Sequence, residues 1–405
     1  MPFAKAFIPY KAYWSTPFSK WQGSFAHLNA VTFAADVTRD ALAARRINAA
    51  TFDGVFLGLT VVQKGSFYGA PWLAGLIGAG DVSGPTINQA CATSARVIGN
   101  AAAEIELGQS QSILCITADR TSNGPHITYP NPNAPGGKPD TEDWVWDNFN
   151  CDPWADNAML DTAENVARQG EFSIEEQHEM TLLRYQQYQD ALKDDAAFHK
   201  RYMITPLQVK DEHGRKVVAT VTADEGIFPT SAEGLAKLKP VLPNGSVTFG
   251  SQTHPADGNA GMILTTQDNA REMSADKSIS IQVIGVGSAR ASKGYMGQAP
   301  VPAARAALKD AGIELKDVKV IKTHNPFAVN DLYFCKETGL PWEALNHFGS
   351  SLIFGHPQGP TGMRLIIEAI EELVMLGGGY GLFAGCAAGD SAMAVVVKVG
   401  VRRVS

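Results

Sequence analysis

Strand-like and helix-like segments alternate through roughly the first 120 residues, a pattern that commits the chain to an α/β layer structure with helices packed on a sheet. A helix through Val37–Ala44 precedes a strand at Asp53–Gly58, and Ser112–Ala118 is apolar enough for a buried strand. From about Thr121 to Asn157 the chain turns rich in Pro, Asn, Gly and Asp, with Trp144, Trp146, Phe149 and Trp154 interspersed. So many aromatics in an ordered excursion predict a lid or pocket wall, with packing of an inserted subdomain as the equal alternative. A charged helix is expected over Ile174–Lys193, and a strand over Val247–Gly250. Alternation resumes from Ile279, where Ala303–Ala311 followed by Val318–Ile321 repeats the earlier helix-then-strand order. Two related α/β halves are therefore expected.

At 405 residues the chain can bury two or more full cores. A net charge of -7 without Lys/Arg clusters predicts no nucleic-acid partner. The opening Met1–Lys5 carries no secretory pattern and no apolar run is long enough to span a bilayer, so a cytoplasmic protein is expected. Five cysteines without a CxxC pair suit free thiols in a reducing compartment. No cysteine–histidine spacing matches a zinc site, and no metal is predicted. Gly285-Val286-Gly287 follows a strand-like run, but Arg290 stands where the third glycine of a dinucleotide loop belongs, so that reading is set aside.

The chemistry concentrates at four places. In Gln89-Ala90-Cys91-Ala92-Thr93-Ser94-Ala95, a β-like run ends and a small-residue helix begins. Unpaired N–H groups and the positive helix end there favour a thiolate, which makes Cys91 a nucleophile candidate; the plainer alternative is a cysteine packed under a helix. His356 lies in the glycine-rich turn Phe354–Arg364, ahead of a long helix whose apolar face includes Leu365, Ile366, Ala369, Ile370 and Leu373. His324 follows the Val318–Ile321 strand, and Cys386 lies in a tight turn between Tyr380–Ala384 and Ala392–Lys398. Strand ends and glycine-rich turns are where site residues sit. Cys115 and Cys335 fall in apolar runs and are expected in the core.

With these motifs, Ser15–Ser24, Thr162–Ala167, Leu235–Pro240 and Asp257-Gly258, the chain resembles the thiolase family over nearly its full length. The resemblance implies duplicated βαβαβαββ halves in a five-layered α/β/α/β/α sandwich. Residues 1–120 with 246–270 would form the N-terminal half, 121–245 an inserted loop domain, and 271–405 the C-terminal half. Two departures stand out. His324-Asn325-Pro326-Phe327 replaces the common Asn-Glu-Ala-Phe and is similar to the sterol-carrier-type branch, though Pro326 stands where that branch has a cysteine. Ala388 replaces a glycine two residues past Cys386.

The resemblance implies a CoA-dependent acyltransferase with no permanently bound cofactor and coenzyme A as co-substrate. Cys91 attacks the keto carbon of a 3-oxoacyl-CoA while His356 takes its proton, and Cys386 protonates the departing enolate and later activates CoA. His356 and His324 would stabilise the thioester enolate, and the backbone N–H groups of Cys91 and Ala388 the tetrahedral oxygen. Trp144, Trp146, Phe149, Trp154 and His254 are candidate substrate contacts. The chain is most similar to large subunits of 2-benzoylsuccinyl-CoA thiolases, implying benzoyl-CoA and succinyl-CoA as products. An acetoacetyl-CoA thiolase and a non-catalytic acyl-CoA-binding subunit stay open as alternatives. The family further implies a homodimeric core and, in some branches, a small zinc-ribbon/OB-fold subunit.

Overall fold

A computed structural model describes residues 3–211 and 213–402. In chain order its principal elements are β1 (Phe7–Ile8), α1 (Ala30–Ala44), β2 (Gly54–Gly58), α2 (Gly69–Leu76), β3 (Thr86–Ile87), α3 (Thr93–Leu107) and β4 (Ser112–Arg120). There follow α4 (Met159–Gly170), α5 (Ile174–Ala196), β5 (Ala256–Thr265), β6 (Ile279–Arg290), α6 (Pro300–Ala311) and β7 (Val318–His324). The chain continues through α7 (Ala328–Thr338), α8 (Gly359–Met375), β8 (Gly378–Ala387) and β9 (Ser391–Val401). The strands hydrogen-bond in the order β7-β8-β9-β6-β1-β5-β4-β2-β3, with Tyr13–Ser15 and Ser19–Lys20 paired on β5. Two half-sheets are thus joined through the short β1, whose Phe7 faces both Thr265 and Gln282.

Side-chain alternation explains the layering. Along β4, Ile113 and Cys115 enter one core while Leu114 and Ile116 enter another. Along β9, Val395 and Val397 point to that same first core, and Ala394 and Val396 to a third. Because successive strand residues face opposite sides, each half-sheet is apolar on both faces and needs helices on both. α3 and α8 fill the space between the half-sheets; α1 and α2 cover the outside of one, α6 and α7 the outside of the other. Helices and half-sheets therefore stack in five layers. Gly285 and Gly287 explain the loop-like signal in β6: a Cβ at either would come within 2.5 Å or less of a backbone oxygen of α6. Those glycines let a helix lie close on the strand.

Several expected elements shift. Val247–Gly250 is not a strand; a 3₁₀ turn covers Phe249–Ser251, capped by the Thr248 hydroxyl on the Gly250 N–H. Cys386 lies inside β8, facing Ala392 of β9, and the turn begins after it. α8 was expected to show water one face, yet every residue from Gly359 to Leu373 is buried. Its charged residues have partners inside. Arg364 forms a two-pronged pair with Asp224, at 2.6 and 2.9 Å, and reaches Glu368 at 3.0 Å. Tyr202 donates to Glu368 at 2.6 Å and Tyr13 to Glu371 at 2.7 Å. Among the described residues, 121–245 add no strand to the large sheet; they form two small two-stranded sheets and the helices α4 and α5.

Candidate active site

β3 ends at Ile87, and the chain turns sharply into α3. Ala90 adopts φ +43, a left-handed conformation that side chains bearing a Cβ rarely take. Thr93 braces this turn: its hydroxyl accepts from the Gln89 N–H at 2.8 Å and donates to the Ala90 carbonyl at 2.7 Å. Cys91 is thereby presented, half-buried, on the floor of a cavity of about 980 Å³.

The other groups come from the C-terminal half. Pairing of β7 with β8 sets His324 beside Gly385, next to Cys386. The turn ahead of α8 supplies His356, and the two imidazoles stack with ring centres 4.0 Å apart. Each ring is fixed through Nδ1: His356 on the Thr361 hydroxyl at 2.6 Å, His324 on the Ser351 hydroxyl at 2.8 Å. Both Nε2 atoms are buried and unpartnered. With Cys91 the two histidines form a group whose polar side-chain atoms, one from each residue, all lie within 4.8 Å of one another. Residues far apart in sequence, at three separate turns and strand ends, assemble a cysteine–histidine cluster that no local spacing announces.

The electrostatics also revise one expectation. Burial pushes the Cys91 thiol up to about 12, against the lowering pull of the N–H groups of Ala388 and Cys91 itself. Cys91 thus rests as a thiol and not as a thiolate, with its sulfur 3.2 Å from the Gln358 side-chain oxygen. Burial holds both imidazoles neutral, His324 at about 3 and His356 well below its ordinary value, the latter also through His324. A neutral imidazole beside a thiol suits proton transfer during attack. Because the Ala388 and Cys91 N–H groups bear on that sulfur, they also suit an oxyanion forming next to it. Cys386 is fully buried and accepts a 3.3 Å hydrogen bond from Asn330. Burial first, and then proximity to Cys91, raise its pKa well above the ordinary thiol range.

Trp144, Trp146, Phe149 and His254 line the cavity with Cys91, His356, Gln358 and Ala388. The Trp144 indole is anchored on the Thr60 carbonyl at 3.0 Å, and Trp146 packs on Trp21 and Phe149. Trp154 does not join them: it is largely exposed and lies under Lys293. His254 keeps an unpartnered Nε2, and burial lowers its pKa. Cys115 and Cys335 are core residues, and Cys151 is exposed.

Sequence reasoning missed the residues that hold this site. Asp119, at the end of β4, accepts from the N–H groups of Thr60, Val61 and Gly359, all at 2.8 Å, and so ties the cavity wall to the start of α8. Burial raises its pKa to about 7. Asp331 accepts from Arg184 at 2.8 Å and from Asn325 at 2.7 Å, bracing the strap that carries His324. Polar residues closing apolar strands were the available signal for Asp119; for Asp331, Ser351 and Asn330 there was none.

The sequence matches the family model described as Thiolase, N-terminal domain over residues 12–268, and Thiolase, C-terminal domain over 278–399. The chain belongs to the thiolase family. It is 28% identical over 392 residues to human mitochondrial 3-ketoacyl-CoA thiolase, covering 95% of this chain and 96% of that one. A β-ketoadipyl-CoA thiolase of Pseudomonas knackmussii is 30% identical over 397 residues, with 95% and 96% covered. Among solved structures, Bacillus anthracis acetyl-CoA acetyltransferase superposes with a TM-score of 0.88 at 27% identity, covering 98% of this chain and 100% of that chain. The human mitochondrial enzyme in complex with CoA superposes at 0.87, with 27% identity and 98% and 99% coverage. The five-layered arrangement is thus the thiolase fold, and the protein is a CoA-dependent acyltransferase of 3-ketoacyl-CoA type.

Proposed function

We propose that this thiolase cleaves a bulky, aromatic 3-oxoacyl thioester, with 2-benzoylsuccinyl-CoA giving benzoyl-CoA and succinyl-CoA as the favoured case. The observation that carries the reading is the shared cavity: Trp144, Trp146 and Phe149 stand on the same roughly 980 Å³ space as Cys91 and His356. Rigid aromatic walls of that kind exceed what a two-carbon acyl group uses. The name of the Pseudomonas relative, a β-ketoadipyl-CoA thiolase, refers to a carboxylated acyl chain, and 2-benzoylsuccinyl-CoA also carries a free carboxylate. His254, with its free Nε2 on the cavity wall, is the polar group for CoA or that carboxylate.

In this reading the clustered groups divide the work. His356 draws the proton from Cys91 as the sulfur attacks the keto carbon, and the N–H groups of Cys91 and Ala388 receive the tetrahedral oxygen. Collapse leaves an acyl group on Cys91 and an enolate thioester, whose oxygen faces His324 and His356 and whose carbon takes a proton from Cys386. CoA then gives its thiol proton to the Cys386 thiolate and removes the acyl group, and the Cys91 thiolate that leaves takes its proton back from His356. Thioester absorbance with free CoA tests the substrate: 2-benzoylsuccinyl-CoA should show a higher kcat/KM than acetoacetyl-CoA, and the reverse order overturns the aromatic reading.

The assembly proposed is a homodimer formed through the N-terminal half, in a reducing, cytoplasmic setting, with a small zinc-ribbon/OB-fold subunit recruited for full activity. β3 is an edge strand of the large sheet, and nearby Phe67 and Tyr68 are 94% and 69% exposed. An open edge beside exposed aromatics is a ready pairing surface. Light scattering of the purified chain should give a dimer mass; a monomer overturns the pairing. Full activity from this chain alone overturns the need for the small subunit.

A further inference from the structure

We propose that the side-chain amides of Gln358 and Asn330 act in catalysis as two-way partners of the two sulfurs, accepting from a thiol and donating to a thiolate. Both sulfurs, in the roles proposed for them, lose a proton and regain it in every turnover, and the assignment rests on those roles. Each sulfur has one amide beside it. The Gln358 side-chain oxygen lies 3.2 Å from Cys91, and the Asn330 side-chain nitrogen 3.3 Å from Cys386. The other cysteines have no side-chain amide as a partner among the described residues. Cys335 and Cys151 face backbone carbonyls at 4.0 and 3.9 Å, and Cys115 packs in the core.

These two amides differ from their neighbours in having an unused end. Asn325 donates to Asp331 and accepts from the Leu352 N–H; Asn346 donates to the Thr323 hydroxyl and accepts from the Thr323 N–H. Gln187 likewise donates to the Leu345 carbonyl and accepts from Arg184. Amides tied at both ends cannot turn over without breaking bonds. The Asn330 oxygen, by contrast, is buried with no partner. The Gln358 nitrogen donates to none of the described residues, and its side chain lines the cavity. The last side-chain torsion of Asn and Gln is broad and roughly two-fold, so half a turn exchanges oxygen for nitrogen at the sulfur. The structure holds one amide in each sense: Gln358 accepts at Cys91, and Asn330 donates at Cys386.

Gln358 is held at its sulfur against its own backbone preference. Its φ of +61 lies in the left-handed region that residues with a Cβ rarely take, and strain of this kind gathers at reactive sites. The following glycine is pinned at both backbone groups: the Gly359 N–H donates to Asp119 at 2.8 Å, and its carbonyl accepts from the Ser94 hydroxyl. Asn330 is placed by the first turn of α7 and is buried. A neutral amide suits a sulfur whose charge changes. A fixed cation would favour the thiolate throughout and a carboxylate the thiol, whereas an amide offers donor or acceptor in turn. The protons balance without it. The Cys91 S–H breaks as His356 gains an N–H, the Cys386 S–H breaks as the enolate carbon gains a C–H, and neither amide gives up a proton.

Two measurements on the full-length chain test the assignment. Capture of Cys91 by iodoacetamide at pH 8, read as peptide mass, needs no substrate. A hydrogen bond to a thiolate raises its population about 10–100-fold, and its lower nucleophilicity offsets part of that, so Gln358→Met should slow capture about 3–10-fold. The titratable groups that face Cys91, namely His324, His356, Cys386 and Asp119, are unaltered in this variant. Thiolysis is followed with acetoacetyl-CoA or 2-benzoylsuccinyl-CoA, whichever the parent protein cleaves faster, so the preferred acyl group does not enter. Asn330→Leu should lower kcat about 10–100-fold with KM for CoA unchanged. Added to Cys386→Ala, it should lower the residual rate no further, because its effect runs through that sulfur. Circular dichroism and thermal melts confirm that each variant is folded. Parent-like capture in Gln358→Met, parent-like kcat in Asn330→Leu, or a further loss in the double variant overturns the assignment. Near-normal thiolysis in Cys386→Ala alone overturns the role of that cysteine, and with it the part given to Asn330.

Discussion

The two helices between the half-sheets occupy matching places, and each begins at a catalytic group, yet they are built from opposite materials. α3 follows Cys91 and packs through Ala95, Val97, Ile98, Ala101, Ala102 and Ile105. α8 follows His356 and buries Arg364, Glu368, Glu371 and Glu372 along with its apolar residues. One helix is held by small-residue packing and the other by an ionic network reaching Asp224, Tyr202, Tyr13 and Lys322. An apolar contact is non-directional, whereas a buried charge demands a particular partner. α3 therefore tolerates adjustment, and α8 fixes where neighbouring segments sit. Asp224 is the clearest case. Burial would raise its carboxyl, but Arg364 outweighs that and holds it below the ordinary range, while the following residues Gly226 and Phe228 line the cavity.

The largest contrast expected is chemical. Cys91→Ala should abolish acylation and thiolysis together, because no covalent route remains. On the other side, Cys386→Ala should still be acylated at Cys91 by a simple acyl-CoA, as peptide mass will show, while thiolysis falls by at least about a hundredfold. Near-normal thiolysis in that variant would hand the proton to another group, His324 first. Next comes stability. Arg364→Met leaves Asp224 buried without its cation, and Glu368 with Lys322 alone at 3.9 Å, and should cost about 3–5 kcal/mol in urea unfolding. Ala102→Gly, on α3, should cost only about 1 kcal/mol. Equal losses would erase the distinction between the helices.

The smallest effect is a pH dependence on the side of α8. His199 is packed among Tyr188, Phe198 and Tyr202, and burial lowers its pKa to about 4. Its folded value lies below its unfolded value of about 6.5. The stability it contributes is present above pH 6.5 and is lost as pH falls towards 4, on the order of 1 kcal/mol per pH unit. His199→Phe should remove that loss, so the variant gains on the parent protein as melts are repeated at falling pH. A constant difference in Tm between the two from pH 7 to pH 4.5 would show that His199 does not titrate in this way.

The same two helices mark how far the sequence could be read. α3 and its nucleophile turn were legible because small apolar residues recur at helical spacing after a strand, and because Cys91 sits at the break. Five layers and two halves followed from alternation and resemblance. α8 was misread as amphipathic because periodicity takes charge as a sign of water; the partners of Arg364 and Glu368 lie more than a hundred residues away in Asp224 and Tyr202. The resting state of Cys91 was misjudged for a related reason. Position at a helix start is visible in sequence, but the depth of burial that overrides it is a property of the assembled cavity. Trp154 failed as a pocket residue because composition located the aromatic segment without saying which rings turn inward.

Synthesis of the chain runs from the N-terminus, and this gives the burial of α8 a further meaning. Cys91 leaves the ribosome early, but Tyr13, Tyr202 and Asp224 wait for the charged partners on α8, which emerge only after residue 363. Until then the inner face of the first half-sheet is covered by α3 but not by α8, and Cys91 is without Cys386, which follows α8 in the chain. The closing of the middle layer therefore comes just before the arrival of Cys386 on β8, and the reactive centre is completed last. A nascent thiolase chain carries its sulfur for most of its birth without the means to use it.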